Sequence, residues 1–371
     1  MIRVAIVGCG KIADQHVQAI RRIPSSTVVA VCDREMLMAR QLAERFRIAG
    51  CFDDVGAMLR SAAPDVVHVT TPPQSHHALG LQCLEAGSHV YIEKPFTVTA
   101  TEACSLIEVA QACGLSVTAG HNYQFTAEMM QMRRLVEQGF LGGAPVHLES
   151  YWSYDLSDAS YVAPLLGDPN HWVRRLPGQL FHNIISHGIA RLAEFLCDDM
   201  AETVVSSRQS DRLRALGGHE VHDEMRVMLQ DARGTTASFC FSTQITPGLN
   251  LFRVHGPAAS ITVDLTSGSV LRHPGKGQKS YLTFLVPPLH NAREHLRNAG
   301  GNAWRILRWR LHQDSGMKEL IERFHRSITD KRPPPIPYRE IQSTARIMDA
   351  LFASRSRDRV HGGALAADGG A

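Results

Sequence analysis

Short apolar runs alternate with stretches of helical spacing through the first third of the chain. The runs at 4–7, 28–32, 66–70, 90–92 and 116–119 are apolar almost throughout, and amphipathic stretches separate them at about 13–22, 36–46, 55–62, 75–86 and 100–112. Strands without polar alternation are buried on both faces, so this βαβα order predicts a doubly wound parallel sheet covered by helices. Gly87 and Gly114 stand where glycines end helices.

The pattern changes after Asn122. A helix at 127–138 precedes runs with β character at 146–153, 203–207, 224–229, 235–242, 251–255, 260–264 and 281–286, some separated by turn signals. Helical spacing returns at 178–196, at 316–329 and, after Pro333-Pro334-Pro335, at 338–354. These segments predict an α+β domain with a large, mostly antiparallel open sheet. The expected domains are 1–122 and 123–354, with the helix at 338–354 packing back on the first and 355–371 forming a disordered tail.

Composition narrows the setting. A chain of 371 residues exceeds one ordinary core, in keeping with two domains. A net charge of +3 without lysine blocks argues against nucleic acid as a partner. The first residues run straight into a strand without the features of a signal peptide, and no apolar run reaches bilayer length. The eight cysteines form no Cys-x-x-Cys pair, which suits a reducing cytoplasm, and the nineteen histidines form no His-Glu-x-x-His spacing, so no metal is expected.

The most specific chemistry lies at strand ends. Gly8-Cys9-Gly10-Lys11-Ile12-Ala13 follows the first strand and opens the first helix, the context that a G-x-G-x-x-G/A phosphate turn requires. Gly8 permits the tight turn, Gly10 lets the backbone approach a pyrophosphate, and Lys11 and Ile12 lie in the helical turn that faces the anion. Asp33 ends the second strand, close to the ~20-residue offset of the acid that binds the adenosine ribose hydroxyls. A carboxylate there repels a 2′-phosphate, so NAD is the cofactor expected; Arg34 beside it keeps NADP as the alternative. The first domain is therefore expected to be a Rossmann dinucleotide-binding fold. Thr71, Pro72 and His76 lie in a loop that would border the cofactor, and Asn122 follows the last strand.

Glu93-Lys94-Pro95 ends another buried run. Burying an ammonium is costly unless it is paired or used, and strand ends of open parallel sheets border the ligand crevice. Glu93 and Lys94 are thus candidates for cofactor contact, and Lys94 for contact with a reacting hydroxyl or carbonyl.

Taken together, Gly8 to Ala13, Asp33, Thr71-Pro72-Pro73-Gln74-Ser75-His76, Glu93-Lys94-Pro95, Gly120-His121-Asn122 and a later segment ending at His187 resemble the Gfo/Idh/MocA family of nicotinamide-dependent sugar and inositol oxidoreductases. The resemblance runs from Met1 to about Phe352. It implies hydride transfer between NAD(P) and a secondary alcohol or ketone of a carbohydrate or cyclitol. A homodimer or homotetramer is expected.

In this family an Asp precedes the histidine by four residues; here Asn183 stands at that place, and His182 beside it is the residue that would compensate. Lys94 and His187 are the expected acid/base groups, with Asn183 on the same helical face as His187. Tyr151, Trp152, His171 and Trp172 are candidates for packing on a sugar or closing its pocket. Residues 287–313, arginine-rich with Trp304 and Leu307 at helical spacing, are expected to make a subunit contact, a lid or an acid-binding surface being the alternatives. Two other functions stay open. One is an NAD-dependent lyase or glycosidase that oxidises its sugar transiently, which Asn183 favours. The other is a catalytically silent NAD-binding sensor, which the presence of both Lys94 and His187 disfavours.

Overall fold

A computed structural model of the chain describes residues 1–155, 168, 170–198, 200–215, 221–275, 280–282, 284–308 and 316–367. It has two compact units, Met1–Phe125 with Ser315–Asp349, and Thr126–Asp314 with Ala350–Ala371.

The first unit is built on β1 (Ile2–Val7), β2 (Ser26–Cys32), β3 (Gly50–Phe52), β4 (Val66–Val69), β5 (His89–Ile92) and β6 (Val117–Ala119). All pair in parallel, in the order β3-β2-β1-β4-β5-β6. The central strand explains the apolar runs: Val4, Ala5 and Ile6 are each 0% exposed, because helices cover both faces. Those helices are α1 (Lys11–Arg21), α2 (Met36–Phe46), α3 (Val55–Ala62), α4 (His76–Glu85) and α5 (Ala100–Ala112). α5 begins with a capping box in which Thr99 and Glu102 satisfy each other's backbone N–H groups. The sheet order reverses between β1 and β4, which puts a ligand crevice at the C-terminal ends of β1, β4 and β5.

The second unit opens with α6 (Ala127–Glu137) and β7 (His147–Ser153), continues with α7 (Leu180–Ile184), α8 (Ser186–Ala193), β8 (Met200–Arg208) and α9 (Asp211–Ala215), then β9 (Glu224–Asp231), β10 (Thr236–Ser242), β11 (Asn250–His255), β12 (Ala259–Asp264), β13 (Ser269–Pro274) and α10 (Val286–Leu307). Its seven strands run β13-β12-β11-β7-β10-β9-β8 and are antiparallel except for the β7–β10 pair. Along β7 the burial alternates, so Leu148, Ser150 and Trp152 face the core, where α8 packs.

Two expectations differ from the structure. The stretch 281–286 is not a strand; Ser280–Leu282 is a short 3-10 turn and α10 starts at Val286, with residue 283 outside the described set. Pro287 and Pro288 fit a first helical turn, where their missing N–H groups would have no partner anyway. β13 takes the sheet edge instead. The helix expected at 178–196 is two, α7 and α8, joined at Ile185. In α10 the amphipathicity is inverted. Glu294, 1% exposed, accepts from Arg272 at 2.7 Å and pairs with Arg297 at 2.9 Å, while Leu296 and Leu307 are 74% exposed. Of the expected 287–313 segment, 309–313 lies outside the described residues.

The chain then returns to the first unit with α11 (Met317–Thr329), whose Leu320, Ile321, Phe324 and His325 are buried. α12 (Tyr338–Ala367) follows and extends past the end expected at 354. It is tied to the first unit by Val117 N donating to Tyr338 Oη at 3.2 Å and Ala100 N donating to Asp349 Oδ2 at 2.8 Å.

Candidate functional site

In the first unit the glycine turn, the second strand end and the fifth strand end carry the chemistry. Gly8 has φ +97°, and a Cβ there would lie 2.8 Å from the Thr71 backbone N, so both conformation and space demand glycine. Gly10 is the N-cap of α1 without a side-chain cap, and a Cβ built on it meets nothing within 4 Å. The space beside the Gly10 backbone at the start of α1 is therefore open, which leaves room for the backbone to approach a pyrophosphate. Lys11 is exposed and Ile12 half-buried in that first turn. Asp33 turns back onto the glycine turn: its Oδ2 accepts from Cys9 N at 2.7 Å and its Oδ1 from Glu35 N at 3.0 Å. Its carboxylate is thus fixed beside the glycine turn. The Arg34 side chain, 92% exposed, reaches Glu35 at 4.0 Å. These residues fit a bound dinucleotide.

At the end of β5, Glu93 is buried and its carboxylate is held on several sides. His16 Nε2 lies 2.9 Å from Oε1, Lys94 N donates to Oε2 at 3.1 Å, and Gly120 has no room for a Cβ because Glu93 Oε1 is 2.9 Å from that position. Burial pushes the Glu93 pKa up, but the His16 hydrogen bond and the charges of His16 and Lys94 outweigh it, and the net shift is downward. Burial lowers the Lys94 pKa, and the Glu93 charge only partly opposes this. An ammonium made easier to deprotonate beside an ionised carboxylate suits a group that takes and returns protons. The Lys94–Pro95 peptide is cis.

The residues of the 71–76 loop differ in exposure. Thr71 is half-buried and Pro72 exposed, but His76 is wholly buried. Its Nε2 lies 2.8 Å from Thr71 O and its Nδ1 3.0 Å from Pro95 O. Both nitrogens lie against main-chain carbonyls, and the one that carries hydrogen donates, so His76 packs between the 71 loop and the 95 loop. Asn122, 6% exposed, opens the 3-10 turn Asn122–Phe125.

In the second unit His187 is 7% exposed and stacks on Trp152, with ring centroids 5.5 Å apart. Behind Trp152 lies Arg191, 0% exposed, its guanidinium 5.1 Å from the indole centroid. It donates to Asn250 Oδ1 at 2.8 Å and to Ser150 Oγ at 3.2 Å. Arg191 had no signal in the sequence beyond its place one helical turn after His187. Asn183 is half-buried on α7. His182 does not stand in for an acid there: it is 1% exposed and stacks on Phe352 at 4.9 Å. Tyr151 is also corrected. Successive strand residues face opposite sides, so Tyr151 points away from Trp152 and His187, toward Glu149, Arg253 and Cys240 on the other face. His171 accepts from Val173 N at 3.4 Å and caps the turn Trp172–Arg175, and both His171 and Trp172 are half-buried.

Comparison with known proteins agrees with this geometry. Residues 2–121 match the oxidoreductase family model with the NAD-binding Rossmann fold, and residues 129–262 match the GFO/IDH/MocA C-terminal domain. D-glucoside 3-dehydrogenase of Escherichia coli (strain K12) is 37% identical over 142 residues, 38% of this chain and 40% of that protein. Inositol 2-dehydrogenase of Rhizobium meliloti (strain 1021) is 25% identical over 78% of this chain and 82% of its own length. The chain spans well under half the length of the former and of D-apiose dehydrogenase of Paraburkholderia graminis, of which it covers 37%. An oxidoreductase from Agrobacterium radiobacter solved with NAD+, L-tartaric acid and magnesium superposes with a TM-score of 0.74 at 15% identity, over 96% of each chain. The WlbA dehydrogenase from Bordetella pertussis, in complex with NADH and UDP-GlcNAcA, gives 0.75 at 16% identity, again over 96% of each. At such identity the likeness shows a shared fold. Among the described residues no helix is long and apolar enough to cross a membrane. With both of its domain models matched in order along most of its length, the chain belongs to the GFO/IDH/MocA oxidoreductase family, whose first domain is an NAD-binding Rossmann fold.

Proposed function

We propose that the chain transfers a hydride between NAD, with NADP as the alternative, and a secondary alcohol or ketone of a sugar, sugar derivative or cyclitol. The observation that carries this reading is the paired Glu93 and Lys94 at the end of β5, in the unit that also bears the Gly8–Gly10 turn and Asp33. The names of two relatives, D-glucoside 3-dehydrogenase and inositol 2-dehydrogenase, support a polyhydroxylated substrate. The reading includes a cytoplasmic setting and a homo-oligomer.

When bound, the nicotinamide supplies the hydride acceptor or donor. Gly8, Gly10, Lys11 and Ile12 hold the pyrophosphate, Asp33 the ribose hydroxyls, and Thr71, Pro72 and Asn122 border the cofactor. Lys94 holds the reacting oxygen and takes or returns its proton at Nζ, its ammonium disfavoured by burial and steadied by Glu93. His187, its ring fixed against Trp152, is the second proton-handling group. Asn183 orients a hydroxyl without taking its proton. Trp152, His171 and Trp172 are the substrate-packing residues.

The test is a turnover screen with NAD+ across inositols, aldoses, uronates and nucleotide sugars. Net NADH formation with one of these classes is the expected outcome. Product without NADH accumulation would instead establish the transient-oxidation lyase or glycosidase, and silence across all of them together with tight NAD+ binding would establish the sensor.

A further inference from the structure

The first unit holds buried titratable groups that the proposed chemistry leaves unused. His16 on α1, His68 on β4 and His325 on α11 are 0%, 0% and 1% exposed. His16 Nε2 lies 2.9 Å from Glu93 Oε1, and its Nδ1 lies 2.8 Å from His68 Nδ1. His68 Nε2 lies 3.4 Å from His325 Nε2, and His325 Nδ1 lies 2.8 Å from Ser26 Oγ. All six ring nitrogens are engaged. Glu93 follows the C-terminal end of β5 and Ser26 opens β2. In a parallel sheet those are opposite edges, so the chain of side chains crosses the unit from the cofactor edge to the far edge. Tyr91 stacks on His68 at 4.6 Å and meets His16 edge-on at 5.2 Å, which holds the ring planes.

A neutral imidazole has one N–H, so it donates once and accepts once. With Glu93 ionised, one neutral arrangement satisfies every contact. Ser26 O–H donates to His325 Nδ1, His325 Nε2–H to His68 Nε2, His68 Nδ1–H to His16 Nδ1, and His16 Nε2–H to Glu93. One added proton gives a second arrangement that is satisfied equally. His16 then carries hydrogen on both nitrogens and its Nδ1–H donates to His68 Nδ1, His68 Nε2–H donates to His325 Nε2, and His325 Nδ1–H donates to Ser26 Oγ. The two arrangements use the same heavy-atom contacts and differ by one proton. That proton is taken up at His325 Nδ1; one N–H breaks and another forms at His325 and at His68, His16 gains Nδ1–H and keeps Nε2–H, and the positive charge comes to rest on His16 against the Glu93 carboxylate.

We infer that His16, His68 and His325 form a proton relay between the Ser26 edge and Glu93, with His16 as the positioning residue for the Glu93 carboxylate. The inference rests on the oxidoreductase reading in one respect: as a ketone takes up a proton from Lys94, His16 Nε2–H passes to Glu93 and Glu93 passes its proton to Lys94, and each transfer runs in reverse when a substrate hydroxyl releases one. Burial keeps His68 far below its ordinary pKa and His325 at about 4, so both rings stay neutral in either arrangement. The other titratable groups that act on Glu93 or lie in its field are Lys94, His76 and His121. His76 is committed to main-chain carbonyls, and burial lowers His121 to about 4.

The experiment is nitrogen-15 NMR of the full-length protein labelled on histidine, without substrate, from roughly pH 5 to roughly pH 10. The expected result is one transition shared by three rings: His68 moves from Nδ1–H to Nε2–H and His325 from Nε2–H to Nδ1–H as His16 becomes doubly protonated. Fixed tautomers across the range, or separate transitions, overturn the relay whatever the substrate. His68→Phe keeps a ring on Tyr91 and cuts the path. With myo-inositol or methyl β-D-glucoside and NAD+, its kcat is expected to fall about tenfold or more and to recover with added imidazole, while the KM for NAD+ stays unchanged. Unchanged kcat in this variant overturns the relay. Absence of turnover by the unsubstituted protein on every polyol overturns the substrate reading instead, and the shared or separate NMR transitions then decide the relay.

Discussion

The His187 imidazole lies almost parallel to the Trp152 indole, with the ring planes 17° apart. Arg191 holds the other partner of this stack, its guanidinium 5.1 Å from the Trp152 centroid and 5.5 Å from that of Phe252. Ser150 Oγ accepts from Arg191 and donates to Gly188 O at 3.1 Å, which ties β7 to the first turn of α8 beside His187. In the proposed mechanism His187 handles a proton, and an imidazole held in this way loses its orientation when the stack is removed. Trp152→Leu is expected to lower kcat by about a hundredfold while the KM for NAD+ changes little. Trp152→Phe, which keeps a ring, is expected to retain most of the rate. Steady-state kinetics of the two variants checks this, and equal rates for both would show that the stack has no part in turnover.

The two glycines of the phosphate turn separate folding from binding. Gly8→Ala places a Cβ into the Thr71 backbone at φ +97° and is expected to destabilise the apo protein by about 1–3 kcal/mol. Gly10→Ala meets open space, so the apo unfolding free energy is expected to stay within about 0.5 kcal/mol. NAD+ affinity should nonetheless fall. Urea denaturation without cofactor, paired with calorimetric titration of NAD+, distinguishes the two effects.

In the proposed reading cofactor choice rests on Asp33, whose carboxylate is fixed by Cys9 N at 2.7 Å and Glu35 N at 3.0 Å. Separate titrations of NAD+ and NADP+ are expected to favour NAD+. Asp33→Ser is expected to narrow or reverse that preference and to cost about 1 kcal/mol of stability from the lost charge-assisted bond. Tighter NADP+ binding by the unsubstituted protein would contradict the role given to Asp33 and turn attention to Arg34.

Buried histidines set the acid limb of stability. Desolvation lowers His121 and His325 from 6.5 to about 4, and His68 is also lowered. As pH falls, the unfolded chain takes up these protons before the folded one does. The contribution is therefore complete above the unfolded value of about 6.5 and is lost as pH falls toward the folded values. By about pH 5 the loss is on the order of 2 kcal/mol per group. Urea midpoints are expected to drop between about pH 7 and about pH 5, above the range in which carboxylates titrate, and His121→Leu should reduce the drop. A flat midpoint over that interval would rule out this origin.

Much of the first unit was legible because its physics is local. Runs such as 4–7 and 66–69 are apolar at every pleat or nearly so, and only strands buried on both faces read that way. The Gly8 turn and Asp33 were legible for the same reason: a left-handed turn and a strand-end acid leave marks on single residues. β3, with three residues, is too short for periodicity to register, and β13 carries Arg272 and His273 within its run. The strand expected at 281–286 ran apolar residues into the start of α10, a helix that buries an ion and exposes its leucines. Grouping Tyr151 with Trp152 followed aromatic character where the two-residue strand period should have separated them. The polar chain behind Glu93 left one visible trace, His68 inside an apolar run. Its partners on α1 and α11 are distant in sequence, and only folding brings His16 and His325 to it.

The central claim is that Lys94 handles the proton of the oxidised hydroxyl. The most direct measurement is NADH formation by Lys94→Met beside the unsubstituted protein, on the sugar or cyclitol that the screen identifies, with NAD+ binding measured on both. A fall in kcat of about a hundredfold to ten-thousandfold with NAD+ binding preserved is the expected result. Full turnover by Lys94→Met would contradict it and leave Glu93–Lys94 as a structural pair.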